Sequence, residues 1–218
     1  MISNPAIKFP ALCLVVSGGH TQLVLVKDFG KYKIIGETLD DAVGECFDKV
    51  AKILGLGYPG GPIISKIAKK GNPSAYNLPR PMMKHDNFNF SFSGLKTAVL
   101  YLVKKLALSE VERVKLKSSV IADVAASFQQ AAVDVLVDKT IRATKEHKVK
   151  TIMLAGGVSA NQKLREQLKL SSPVECILPD MEYTTDNAAM IAVAGYYGAK
   201  AKKFVKWDKI DINPNLRI

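Results

Sequence analysis

Cysteine and histidine are scarce in this sequence, and each scarcity bears on a class of function. The three cysteines, Cys13, Cys46 and Cys176, are far apart, odd in number and set among apolar residues. That excludes a disulfide framework and a zinc ligand set, and buried, reduced thiols are expected instead. The three histidines are His20, His85 and His147, with no i, i+4 pair and no HExxH, so a zinc protease is disfavoured. No apolar run reaches the roughly 20 residues that cross a bilayer. The opening MISNPAIKFP lacks the charged and apolar regions of a signal peptide, so a cytoplasmic location with no membrane partner is expected. Low-complexity segments and solenoid periods are also missing.

What is present is an ordinary globular composition over 218 residues, 48% hydrophobic and 23% charged. Lys and Arg total 31 against 20 Asp and Glu, a net charge of +11. A polyanionic partner and a merely basic surface both fit that balance.

Residues 11 to 16, 21 to 26 and 32 to 38 read as three short strands in an antiparallel meander, parted by Ser17-Gly18-Gly19 and Asp28-Phe29-Gly30. A helix is expected from Asp41 to Leu54, with Val43, Phe47, Val50 and Leu54 on one stripe and Gly55 just past its end. Residues 71 to 94 are the least regular. Helical spacing returns at Leu95 to Leu106 and from Ser109 to about His147. The end alternates: a strand at Thr151 to Ala155, a helix after Ser159, a strand near Val174 to Leu178 and a helix from Thr185 to Ala199. The whole is α/β.

Chemistry concentrates at the glycine turns. In Ser17-Gly18-Gly19-His20, two glycines allow positive φ and close approach, so backbone N–H groups could meet an anion; a plain hairpin turn would use the same residues. The second turn, Gly156-Gly157-Val158-Ser159-Ala160-Asn161, runs from a strand into a helix, as nucleotide sites do. Ser159 and Gln162 fit a capping box there, which would leave Asn161 free for ligand hydroxyls. Asp41, Glu45 and Asp48 at i, i+4 and i+7 line one helix face, where like charges repel unless they bind something. Gly44 inside that helix costs about 1 kcal/mol against Ala, a sign that another backbone or a ligand needs the space. Gly60-Gly61 after Tyr58-Pro59 is a third permissive turn. Asp186 stands at the mouth of a helix of small residues, as a cap or a metal ligand. In FSFSGLKT, Ser93 and Lys96 have the Ser-x-x-Lys spacing of some acyl-transfer enzymes, but partner motifs are missing, and anchored aromatics with a helix cap are expected.

Taken together, SGGHTQL, DDAVGECFDKVAKILGLGYPGG, FSFSGLKT, AGGVSAN and TTDNAAMIA resemble the ordered motifs of the TsaD family over about Leu12 to Ala194. These are tRNA adenosine threonylcarbamoyltransferases, once described as sialoglycoprotein endopeptidases. The resemblance implies an α/β, actin-like ATPase fold of the Hsp70, sugar-kinase and ribonuclease H-like type. It implies mainly the second lobe, with a helical insertion over about 58–120 and a returning helix at about 185–200. The implied reaction moves the threonylcarbamoyl group of threonylcarbamoyl-adenylate to N6 of the adenosine beside the anticodon, in tRNAs reading codons that begin with A. Carried over by motif, the adenylate would contact Val15, Val16, Ser17, Gly18, Gly19, Asp48, Gly61 and Asn161, and Asp186 would ligate a divalent metal, iron or zinc, one per subunit. No side-chain nucleophile is implied. Implied partners are tRNA and proteins like TsaB and TsaE.

The family's first lobe and its pair of metal-binding histidines have no counterpart in these residues, so a truncated piece, a separate chain supplying that lobe, or a reduced protein are the three readings. Weak metal binding by one aspartate and uncovered apolar surface around the helix from Asp186 to Ala199 are expected. A non-catalytic nucleotide-binding scaffold or partner subunit is the competing reading.

Overall fold

Alternation along ALCLVV makes β1 (Ala11–Val16) apolar on both faces, the pattern of a strand with covering on each side. It lies at the centre of a five-stranded sheet in the order β3-β2-β1-β4-β5. The computed structural model describes residues 7–108 and 116–212. Strands β2 (Thr21–Asp28) and β3 (Lys31–Glu37) complete the antiparallel meander, and β4 (Thr151–Ala155) and β5 (Glu175–Ile177) run parallel to β1.

The long parallel crossover between β1 and β4 holds most of the helices. Helix α1 (Val43–Ile53) buries Val43, Phe47 and Val50 against the sheet, and α4 (Ser118–Glu146) runs beside it, with Phe47 and Phe128 meeting at 4.8 Å. Helices α2 (Gly60–Ala68), α3 (Ser93–Leu108) and α5 (Gln162–Ser171) pack around them into one core with Leu12, Leu14 and Val16. Helix α4 has 29 residues and is apolar enough to cross a bilayer by length and composition, but most of it is core. Helix α6 (Ala188–Lys200) has no buried residue. The opposite sheet face carries a smaller apolar cluster of Ala11, Val24, Val26 and Met153.

Several boundaries differ from the sequence reading. Helix α1 starts two residues late, so Asp41 lies outside it; Thr21 Oγ1 accepts from the Val43 N–H at 2.9 Å and does the capping. The helix expected from Ser109 begins at Ser118, and residues 109–115 lie outside the described residues. Helix α6 begins at Ala188, because Asn187, not Asp186, caps it by accepting from the Met190 N–H at 3.0 Å. All three thiols are free; the expectation of burial holds for Cys46, while Cys13 and Cys176 are half-buried, and burial pushes the Cys13 and Cys46 thiols up to about 12.

The acidic row does not bind as a row. Asp40 reaches 52 residues along the chain, accepting from the Phe92 N–H at 2.8 Å and from Ser91 Oγ at 2.6 Å, and so caps α3. Asp41 lies 2.7 Å from both Lys49 and Lys96, and Glu45 lies 2.8 Å from Lys49. FSFSGLKT is therefore an anchor, with Phe90 and Phe92 fully buried and Lys96 engaged by Asp41. Burial alone would raise the Asp41 carboxyl, but hydrogen bonds from Lys49 and Lys96 outweigh it and hold the group below its ordinary range. A carboxylate depressed by folding stabilises above its unfolded pKa and loses that contribution as pH falls through the folded value. Asp41→Asn is thus expected to lower the urea midpoint at about pH 7 and to do so by clearly less at about pH 3, where the contribution of the carboxylate is being lost. An equal gap at both pH values would remove the ion-pair account.

Candidate functional site

The two glycine turns meet at the carboxyl ends of β1 and β4, where Val15 pairs with Ala155. Open α/β sheets place ligands at such ends. Gly156 has φ +89, and a Cβ there would lie 2.3 Å from the Val16 carbonyl oxygen, so the second turn presses directly on the first. Gly44 brings α1 up from below: its Cβ would lie 2.5 Å from the Ser17 carbonyl oxygen, and its N–H donates to that oxygen at 3.2 Å. Another backbone needed the space, one of the two alternatives open in the sequence.

The first turn is more self-contained than expected. Ser17 Oγ accepts from the N–H groups of Gly19 at 3.3 Å and His20 at 3.0 Å, and the Ser17 N–H donates to the His20 carbonyl at 2.8 Å. Neither Gly18 nor Gly19 takes positive φ, contrary to the sequence reading. The Gly18 N–H has no partner among the described residues. A Cβ on Gly18, Gly19, Gly61 or Gly157 would meet nothing within 4 Å.

Asp48 and Asn161 hold the helices around this opening. One Asp48 oxygen accepts from the Gly60 N–H at 2.7 Å, capping α2, while no described residue binds the other. Gly60 fits because α1 and α2 cross closely, its Cβ position lying 2.6 Å from that of Ala51. Asn161, not Ser159, caps α5, accepting from the Leu164 N–H at 3.0 Å. Its amide nitrogen donates to Ser65 Oγ and Gln129 Oε1, each at 3.0 Å, tying α5 to α2 and α4. Asn161 is therefore engaged, and the expectation of a free amide fails because capping and bridging use both ends. Ser159 is fully buried, its Oγ without a partner among the described residues. Beside this network a groove of about 460 Å3 opens between α2 and α5, lined by Pro62, Ser65, Lys66, Ala160, Gln162 and Lys163 among others.

The structure thus brings Val15, Val16, Ser17, Gly18, Gly19, Asp48, Gly61 and Asn161 to one end of the sheet through their elements. Val16 is sealed in the core, so only its backbone faces that end. Asp186 is exposed, and the described residues contain no group of three or more His, Cys, Asp or Glu that could hold a metal ion.

A family model described as tRNA N6-adenosine threonylcarbamoyltransferase, TsaD, matches residues 1–193, a span that includes both glycine turns and the α1 and α2 motifs. The chain belongs to the TsaD family. The Thermosipho africanus tRNA N6-adenosine threonylcarbamoyltransferase is 50% identical over 221 residues, covering 100% of this chain and 64% of that protein. The Ralstonia pickettii protein of the same name is 54% identical over 191 residues, 86% of this chain and 54% of its own length. The chain therefore spans less than two thirds of these TsaD relatives. Among solved structures, T.kodakarensis HypF aligns with a TM-score of 0.51 at 16% identity, over 82% of this chain and 22% of HypF. That likeness bears on the fold alone, the actin-like ATPase fold that the motifs implied.

Beyond the TsaD motif positions, the structure adds residues that the sequence reading missed. Ser65 and Gln129 orient Asn161 from 96 and 32 residues away. Arg165 donates to the Ser159 carbonyl at 3.1 Å and the Pro179 carbonyl at 2.8 Å, pinning the segment before Asp186 beside the second turn. Only Arg165 had a local signal, a cation four residues into a helix that follows a glycine turn.

Proposed function

We propose that this chain carries the adenylate-holding part of a tRNA N6-adenosine threonylcarbamoyltransferase. The observation that carries the reading is that the bare glycines at 18, 19, 61 and 157, which no left-handed φ and no neighbour in the chain requires, gather at one end of the sheet, whereas Gly195 and Gly198, equally bare, lie apart on exposed α6. Such positions are explained by a ligand whose atoms take the space that a Cβ would fill.

In this reading the adenylate phosphate lies against Gly18, whose free N–H donates to it, and the nucleoside lies in the groove between α2 and α5. The unengaged Asp48 oxygen accepts from a ligand hydroxyl. The N6 lone pair of the tRNA adenosine attacks the carbamoyl carbon, the carbon–oxygen bond to the phosphate breaks, AMP leaves with that electron pair, and the N6 proton passes to solvent. The chain's part is to bind and orient, since positioning alone lowers the barrier of a two-substrate transfer by several kcal/mol, about 7 or more in well-aligned cases.

The family's metal does not fit the residues in hand. Asp186 is a single exposed carboxylate, and no step here is routed through a metal. Further ligands belong, in this reading, to the part of the family's length that the chain does not span. The same part, or a TsaB-like or TsaE-like partner, would cover α6, where Ile191 and Tyr196 are 65% and 61% exposed.

Calorimetry of the chain with ATP and with a stable threonylcarbamoyl-adenylate analogue tests the reading. Binding that weakens about tenfold or more in Asp48→Ala, the loss of a hydrogen bond to a ligand hydroxyl, is the expected result. Absence of any binding heat in wild type would overturn the claim that this chain holds the adenylate by itself.

A further inference from the structure

A second cavity, of about 500 Å3, lies at the other end of the sheet, lined by Pro10, Leu25, Lys27, Lys33 and His147. Leu25 pairs with Lys33 across the β2–β3 hairpin, and alternation along β2 puts Lys27 on the same face as Leu25. The facing wall is the end of α4, where His147 is the C-cap and Lys148, with φ 48, turns the chain away. Lys150 follows, its N–H donating to the Pro10 carbonyl at 2.8 Å. Lys27, Lys33, Lys148 and Lys150 are exposed, and among the described residues none forms an ion pair. The nearby carboxylates do not neutralise them: Asp28 faces Lys31 at 4.0 Å, and Glu146 is exposed with no ion pair of its own.

Lysines on an edge strand can serve only to discourage pairing with another sheet. That accounts for Lys33 on β3, which is an edge, but not for Lys27 on the interior strand β2 or for Lys148 and Lys150, which lie outside any strand. Lys27 and Lys33 line one wall of this apolar-floored groove without an ion pair and repel one another, and a ligand with a line of negative charges relieves that repulsion.

We propose that this groove holds the phosphodiester backbone of an RNA strand. A single phosphate would engage one of these lysines, whereas successive phosphates along a strand suit a pair carried on neighbouring strands of one wall. The groove is separated from the glycine turns by the length of β1, about 20 Å from Pro10 to Val16. RNA seated here is therefore held away from the reacting base and serves to position it. That the RNA is a tRNA rests on the functional reading above; the affinity of the groove for an RNA backbone does not.

The test is fluorescence anisotropy of the whole chain with a labelled tRNA transcript across a salt series, for wild type, Lys27→Ala/Lys33→Ala and the control Lys169→Ala on α5, outside the groove lining, with unfolding midpoints checked in parallel. The double variant is expected to bind about tenfold more weakly at moderate salt and to reduce the slope of log K against log salt by between about 1 and 2, while the control stays at wild type. If wild type binds RNA and the double variant keeps its slope, the groove is not the RNA surface, although the tRNA reading stands. If wild type binds no RNA, or binds anionic lipid vesicles through these lysines in preference to it, the RNA proposal fails. Adenylate binding by calorimetry then decides the functional reading separately.

Discussion

Gly156→Ala is expected to destabilise the protein by about 3 kcal/mol or more, whereas Gly157→Ala, one residue on, stays within about 0.5 kcal/mol of wild type. Gly156 has φ 89 and ψ 166, a region of backbone space that is nearly glycine-only and costs another residue about 1–3 kcal/mol. The added methyl would also lie 2.3 Å from the Val16 carbonyl oxygen, where the two turns close on each other. Relieving that clash means parting β1 from the start of the second turn, which moves Val16 out of the core. Gly157 has neither problem, with no left-handed φ and nothing within 4 Å of a Cβ. Urea unfolding of the two variants reads the difference directly. Equal midpoints would mean that the turns do not pack as described.

The second large effect separates folding from binding. Gly18→Val and Gly61→Val are expected to fold with midpoints close to wild type, because their side chains enter open space. Adenylate affinity should nonetheless fall about 100-fold, or about 2.7 kcal/mol, since the branched side chain occupies the volume through which the phosphate or nucleoside approaches. Gly44→Val is the contrasting control. Its Cβ would lie 2.5 Å from the Ser17 carbonyl oxygen, so it should fail by unfolding, not by loss of affinity alone. Calorimetry with the adenylate analogue, paired with thermal melts, distinguishes these cases. Wild-type affinity in Gly18→Val would remove the first turn from the ligand site and leave its glycines unexplained.

Much of the candidate site was legible because glycine patterns and hydrophobic periods are local. Ser17-Gly18-Gly19 between two strands and Gly156-Gly157 between a strand and a helix are local patterns, and the fold brings both to the carboxyl ends of β1 and β4. Gly55 past the end of α1 does take the left-handed φ of +70 that a helix stop requires. The errors share one cause. The i, i+4, i+7 spacing predicts one helical face for Asp41, Glu45 and Asp48, but Asp41 precedes the helix and shares Lys49 with Glu45, while Asp48 turns to the Gly60 N–H. The Ser159–Gln162 spacing predicts a cap at Ser159 and a free Asn161, but a short 3-10 turn over Gly157–Ala160 delays the helix, so the capping position moves to Asn161. Asp186 lost its capping role to Asn187 in the same way.

The sequence by itself determined the order of the elements, the central strand with two apolar faces, the sites of the glycine turns and the family, because each depends on residues close together in the chain. Only the tertiary structure decided which polar groups meet. Asp40 caps a helix 52 residues away, Asp48 caps one 12 residues away, Asn161 is held by Ser65 across 96 residues, and lysines of β2 and β3 come to face the end of α4. Hydrogen bonds and ion pairs act over a few ångströms of space and carry no period along the chain, so their partners exist only once the sheet and helices have packed.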